Sequence, residues 1–483
     1  MTKTSAEKRM PGMAGVVRML AAGIAVIMVA GCAGSTGTIR KPFSDPQSGA
    51  LYLYMEPLPQ DADRITFSLA GISAVKADGV EVPLALRMSE LQGGAVRRQR
   101  LLAVGELPAG EYSGFIFKIA KAHLHNEDGD AALLLPEKPA RKELAFQVEK
   151  REATVVSAVL KGRESLKGGI GFDPVFSLSI PENPLPSVTG YVSNEGSDTV
   201  TVFDKRAARV ARVIGTGRAP AGIAIDQLQR KAYVAVSGDD AVEVIDTNTN
   251  EVISRIRLHP GDAPREIALA SDGRILITVN SGSNTVSFLD PLSQTEAARV
   301  NVGNRPSTLV MDREGRKIYV FNTLSNSISV IDVATRLVSA TIPTESGPMR
   351  GQFNRKGDRL VVSHSMSPYL LVINPASFSA EKRVYAGMGI AALKINPSTD
   401  FIYAGYRIGG KTEIFDSYSY IPVDSIPAEE GISYLTIDGD ENNLVGVRLG
   451  SATVQLVNLV SKKVVGQIDV GEEPYLAALF GEK

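Results

Sequence analysis

The chain has 483 residues, 44% hydrophobic and 22% charged, a balance that fits folded domains and excludes a largely disordered chain or a multi-span membrane protein. At this length two or more folding units are expected. Against 53 Asp and Glu stand 52 Lys and Arg, so the totals leave no electrostatic footprint for nucleic acid, and a single cysteine excludes disulfide frameworks and cysteine-built metal sites.

At the start of the chain Lys3, Lys8, Arg9 and Arg18 stand against one acid, Glu7, and an uncharged run follows over residues 19–31. That run is shorter than the roughly 20 residues a membrane-spanning helix needs, and it has the layout of a secretory signal. The lone cysteine closes it in Val29-Ala30-Gly31-Cys32. This string resembles the bacterial lipobox. The resemblance implies that residues 1–31 are a lipoprotein signal peptide, that Cys32 is lipidated, and that the N-terminal lipid holds the protein to a membrane. Ala33, not Asp, follows the cysteine, which within that resemblance implies the outer membrane, with the protein facing the periplasm or the cell surface. Residues 32–48, rich in Gly, Ser, Thr and Pro, read as a flexible tether.

Residues 49–183 contain seven apolar or alternating runs, ALYLYME, DRITFSLA, GVEVPLAL, GEYSGFIFKIA, ELAFQV, ATVVSAVL and VFSLSI, separated by turn residues. This spacing predicts a β-sandwich. The strings GALYL at 49–53, LPAGEYSGFIFKI at 107–119 and FDPVFSLSIPE at 172–182 resemble the DUF4382 type of secreted domain, which implies an immunoglobulin- or transthyretin-like sandwich. Pro184 and Pro186 stiffen a linker over 184–188.

From residue 189 to 483 the chain repeats. The segments VTVFD, VEVID, VSFLD, ISVID, LLVIN, TEIFD and VQLVN end at Asp204, Asp246, Asp290, Asp332, Asn374, Asp416 and Asn458, at spacings of 42, 44, 42, 42, 42 and 42. A second column, Pro220, Pro264, Pro306, Pro348, Ile390, Ile432 and Pro474, keeps the same register. Each unit holds four short runs rich in Val, Ile, Tyr and Thr, the pattern of a β-propeller blade. The array opens on a second strand, TGYVSN, and ends on a first strand, EEPYLAALFG, so the C-terminal strand is expected to close the first blade. The predicted fold is all-β: a seven-bladed β-propeller closed in this way, preceded by the sandwich. YVSN at 191–194, KIYVFN at 317–322 and NSGSNTVSFLD at 280–290 resemble the YVTN family of seven-bladed propellers, a fold that hosts binding, lyase, lactonase and haem-dependent activities.

The Asp column is read as structural, since Asn fills the same slot twice and both residues bond turn amides. His123 and His125, followed by NEDGD, form the one cluster with metal-like character, yet they lack a full calcium-loop pattern, and no metal site is assigned. No cofactor and no catalytic set are expected, and a c-type haem is excluded because CxxCH is absent. The repeats diverge where the column Asn194, Val236, Asn280, Asn322 continues as His364, Tyr406 and Arg448, near the break of the proline column. Arg218, Arg265, Arg305 and Arg350 beside the prolines add a cationic rim to one face. The candidate contact residues are Arg265, Arg350, His364, Tyr406 and Arg448. The expected function is that of a lipid-anchored cell-envelope binding or scaffolding protein presenting this face to a protein partner or other ligand. The alternatives are a propeller enzyme of the lactonase or lyase kind, for which the repeats offer only His259 and His364, or a structural subunit of an outer-membrane assembly.

Overall fold

The structure, a computed structural model, describes residues 45–481 apart from 127, 128, 271, 272 and 441. The signal segment, Cys32 and the tether up to residue 44 lie outside the described residues, as do Glu127 and Asp128 of the NEDGD turn. Apart from one α-helical turn at Gly162–Ser165 and three 3-10 turns, the regular structure of the described residues is β. No described helix is long and apolar enough to cross a membrane.

Seven four-stranded antiparallel sheets form the propeller. Blades two to seven are continuous in sequence and span 220–257, 264–301, 306–343, 348–385, 390–427 and 434–469. Blade one is composite: Thr189–Asn194, Thr199–Asp204 and Arg209–Gly215 come from the start of the array, and Pro474–Leu479 supplies the innermost strand. Gly190 pairs with Leu479 and Asn194 with Pro474, which closes the ring as the half-blades at its ends require.

The central strands are buried on both faces. In blade one Tyr191, Val200 and Val202 pack toward blade two, while Val192 and Phe203 pack toward blade seven. Strands sandwiched in this way need apolar residues at successive positions, which is why VTVFD and its relatives read as continuous runs. The outermost strands, such as Leu337–Pro343, are mostly exposed. At the strand-end column, Asp204, Asp246, Asp290, Asp332 and Asp416 accept turn amides through Oδ1, as Asn374 and Asn458 do. Those amide bonds hold the Asp290, Asp332 and Asp416 carboxyls below the ordinary range.

A buried latch crosses the closure. Lys205, which follows the third strand of blade one, donates to Asp438 Oδ1 of blade seven at 2.9 Å and to the Phe480 carbonyl at 2.8 Å. Both charged side chains are 1% exposed.

The sandwich expected of the first domain is met in part, by one main sheet curled over its own core. Its path runs Phe176–Ser179, Ala153–Leu160, Ser48–Met55, Arg100–Pro108, Glu81–Leu86, Ile65–Lys76, Gly110–Asn126 and Gly129–Ala132. Glu81–Leu86 bonds to both Ile65–Lys76 and Arg100–Pro108 and so joins what would be two sandwich sheets. The sheet folds over a core in which Phe115 stacks on Phe146 at 5.3 Å and Phe117 meets Phe176 at 4.4 Å.

This sheet packs against blades one and seven within one compact unit. Tyr52, Tyr54 and Val155 share an apolar cluster with Val210, Val213 and Ile468. Asp469 binds the Arg98 guanidinium, Arg100 Nε at 3.0 Å and the Leu101 amide at 2.9 Å. Gln99 Oε1 accepts the Val210 amide at 2.8 Å, and Arg87 meets Glu472 at 2.8 Å.

Candidate functional site

Six of the seven innermost strands begin at their Pro or Ile, the seventh at Tyr434 two residues past Ile432, and at those six entries the chain makes unusual moves. The preceding residue is left-handed in six blades: φ is 52° at Ala219, 46° at Ala263, 50° at Arg305, 69° at Gly347, 89° at Gly389 and 50° at Glu473. Four of these residues have their amides caught by a side chain of the preceding blade, Ala219 by Asp198, Ala263 by Asp240, Arg305 by Asn284 and Gly347 by Asn326, at 2.7–2.9 Å. The equivalent positions in blades five to seven are Pro368, Gly410 and Ala452, which have no side-chain acceptor to offer. The following residue is then skipped by the ladder: Pro264 faces Asn280 but Glu266 faces Val279, and the same bulge recurs after Pro306, Pro348, Ile390 and Pro474. Bulges re-aim side chains. The bulged residues Arg265, Ser307, Met349, Ala391 and Tyr475 all line a cavity of about 590 Å³ at the mouth of the central channel.

Arginine dominates the charge of this cavity. Arg265, Arg305, Arg350 and Arg407 line it, against the single acid Glu195. Arg265 is paired bidentately with Glu195, its Nη2 lying 3.1 Å from Oε2, and its guanidinium stacks 4.5 Å over the Tyr475 ring. Arg350 Nη1 meets the buried Glu266 Oε2 at 2.9 Å, and its guanidinium lies 5.0 Å from the Tyr434 ring centre and 5.8 Å from that of Tyr475. Burial pushes the Glu266 carboxyl up while Arg350 pulls it down. Burial likewise raises the Tyr475 phenol. The Arg350 Nε is buried with no hydrogen-bond partner. Arg305 and Arg407 are exposed at the mouth and make no ion pair among the described residues.

The five candidate residues divide. Arg265 and Arg350 line the cavity together. His364, Tyr406 and Arg448 are buried inside blades five, six and seven, and the residue after each, Ser365, Arg407 and Leu449, faces the cavity. His364 Nδ1 donates to the Tyr369 carbonyl at 3.0 Å, its Nε2 is buried without a partner, and burial lowers its pKa below the ordinary histidine value. The Tyr406 hydroxyl bonds Glu413 at 2.7 Å and the Ala386 carbonyl. Arg448 is 1% exposed, with Nε and Nη2 unmatched. In blades one, three and four the same slot holds Asn194, Asn280 and Asn322, whose amides bond paired hydroxyls on the next strand. Of the other candidates, Arg218 is tied to Asp239 at 2.6 Å, and His259 lies 3.4 Å from Glu296. His125 is engaged through both ring nitrogens, by Thr66 at 2.7 Å and Asp130 at 2.6 Å. Among the described residues no three His, Cys, Asp or Glu side chains converge as a metal site would need.

A seven-bladed ring closed by a strand from its far end is a complete β-propeller, and here its mouth is lined with arginine. Residues 186–479 match the YNCE-like beta-propeller family, and the chain belongs to that family. Two solved structures share the fold. Kuenenia stuttgartiensis hydrazine synthase is 18% identical, with a TM-score of 0.51 over 57% of this chain and 94% of that one. A functionally unknown protein from Desulfotomaculum acetoxidans is 13% identical, with a TM-score of 0.55 over 62% of this chain and all of that one. Comparison with curated proteins finds no match.

Proposed function

We propose that the chain is a binding protein of the cell envelope, held to a membrane through lipid on Cys32, and that the arginine-lined mouth of its propeller receives an anionic ligand or an acidic part of a partner. The observation that carries this reading is the cavity itself, about 590 Å³ with four arginines against one acid. Its volume lies in the range of small-ligand sites. Arg305 and Arg407 present unpaired planar donors suited to carboxylate or phosphate. Its acid, Glu195, and the adjoining Glu266 are tied to Arg265 and Arg350, which favours holding a ligand over acid–base turnover.

Citrate is a suitable first probe. Titration calorimetry at low salt is expected to show binding that weakens as salt rises, and Arg305→Ala or Arg407→Ala is expected to weaken it about tenfold, as loss of a charged hydrogen bond does. Citrate affinity unchanged in both variants would remove the proposed site. For the anchor, the wild type is expected to incorporate radiolabelled palmitate and sediment with membranes, and Cys32→Ala to do neither. A Cys32→Ala protein that still sediments would rule the anchor out.

A further inference from the structure

The ring is seven-fold in backbone but two-sided in chemistry. Two residues past the column Asn194, Val236, Asn280, Asn322, His364, Tyr406 and Arg448 stand Gly196, Gly238 and Gly282 in blades one to three, then Leu324, Met366 and Ile408 in blades four to six, and Gly450 in blade seven. The three apolar side chains are 65%, 72% and 86% exposed, and Met388, beside the entry of blade six, is 58% exposed. Isolated exposed apolar residues are ordinary, but four on neighbouring loops of one rim form a patch. The patch continues inward, where Met349, Ile390, Ala391 and Leu449 line the cavity. The same side carries Arg305 at one end and Arg407 beside Ile408 at the other, both unpaired, and Arg448 behind Leu449 adds a guanidinium with two unmatched nitrogens. On the opposite side the charges are satisfied, Arg265 by Glu195 and Arg218 and Arg255 by Asp239.

We infer that the ligand is a single amphiphilic anion, a carboxylate or phosphate head bearing an alkyl or aryl body, with its head drawn into the mouth by the field of Arg305 and Arg407 and its body along the apolar side. The inference rests on the binding reading above and names the ligand class. Charge complementarity selects the head, and it also excludes the chain's own tether as occupant, because that segment carries Arg40 and Lys41. The recessed Arg350, with its buried unpartnered Nε, favours a molecule that enters the cavity over a headgroup held in a bilayer plane.

The test compares butyl, hexyl, octyl and decyl phosphate, all below micelle formation, by calorimetry against the full chain. Affinity is expected to rise about twofold per methylene, half the free energy of full burial, since the rim leaves one side of the alkyl chain in water. Leu324→Ser with Ile408→Ser is expected to flatten that dependence without shifting the melting temperature, both side chains being exposed in the free protein. Arg305→Ala with Arg407→Ala is expected to weaken every member of the series by a similar factor, at least tenfold. Equal affinity for butyl and decyl phosphate, with citrate still bound through the arginines, would overturn the amphiphile and leave the anion-binding reading standing. Failure of both citrate and the alkyl phosphates would overturn both. Binding only to vesicles of anionic lipid, or only to an acidic peptide, would also overturn the inference.

Discussion

Lys205→Met is expected to lower the free energy of unfolding by about 3–5 kcal/mol, the usual result of stranding one member of a buried ion pair. The ammonium is 1% exposed and joins the third strand of blade one to Asp438 in blade seven and to the Phe480 carbonyl just past the closing strand. Its loss leaves the Asp438 carboxylate desolvated without its cation, at the seam where the ring is joined by strand pairing between residues far apart in sequence. Because the penalty comes from the stranded charge, Lys205→Met with Asp438→Leu is expected to recover most of the loss. Guanidinium unfolding followed by tyrosine fluorescence would measure both. A single variant within 1 kcal/mol of wild type would show that the latch does not hold the seam.

The second large effect is expected at Asp469. Its carboxylate gathers Arg98, Arg100 and the Leu101 amide from the curled sheet, and its backbone carbonyl accepts the Tyr54 hydroxyl at 3.3 Å. Asp469→Ala keeps the apolar contact of Tyr52, Tyr54 and Val155 with Val210, Val213 and Ile468 but removes the carboxylate's share of its polar border. Arg98 and Arg100 are partly exposed and regain water, so the loss is about 2 kcal/mol and not the sum of three charged bonds. In calorimetry the two domains are then expected to melt in separable transitions, where wild type melts in one. A single unshifted transition in Asp469→Ala would mean that the apolar cluster, with the bonds of Gln99 and Arg87, couples them without the carboxylate.

The propeller was legible because repetition marks it twice. Strand-end Asp or Asn and strand-entry Pro recur at the same interval, and the half-units at the ends of the array foretold the composite blade. The cavity was harder to read, for two physical reasons. Side chains alternate along a strand, so the divergent positions His364, Tyr406 and Arg448 lie within their blades while Ser365, Arg407 and Leu449, one step on, face the channel. Bulges then break that alternation at the entry of the inner strands, and nothing in residue type announces them: Arg265, Ser307, Met349, Ala391 and Tyr475 share no chemistry.

The partners of the arginines were hidden by distance. Glu266 and Arg350 stand 84 positions apart, two full repeats, and Glu195 stands 70 before Arg265, so inspection of neighbouring units does not pair them. Tyr475 did carry a signal, since it occupies in its own repeat the slot that Arg265 fills in another. In the first domain, Arg100–Pro108 escaped prediction because Gly105 breaks its apolar run. That strand is also the one that, through Glu81–Leu86, makes one sheet of an expected two.

The composite blade also imposes an order in time. Gly190 finds its partner only when Leu479, nearly three hundred positions later, has been synthesised and delivered. Until then Thr189–Asn194, buried along its whole length in the finished ring, offers one unpaired edge to any other chain. The curled sheet, which precedes the ring in the chain and rests on blade one, is complete before that edge appears and gives the nascent blade a surface to settle on. The interval between the two strands is the period of greatest exposure to aggregation, and assistance from a holding chaperone would matter most then.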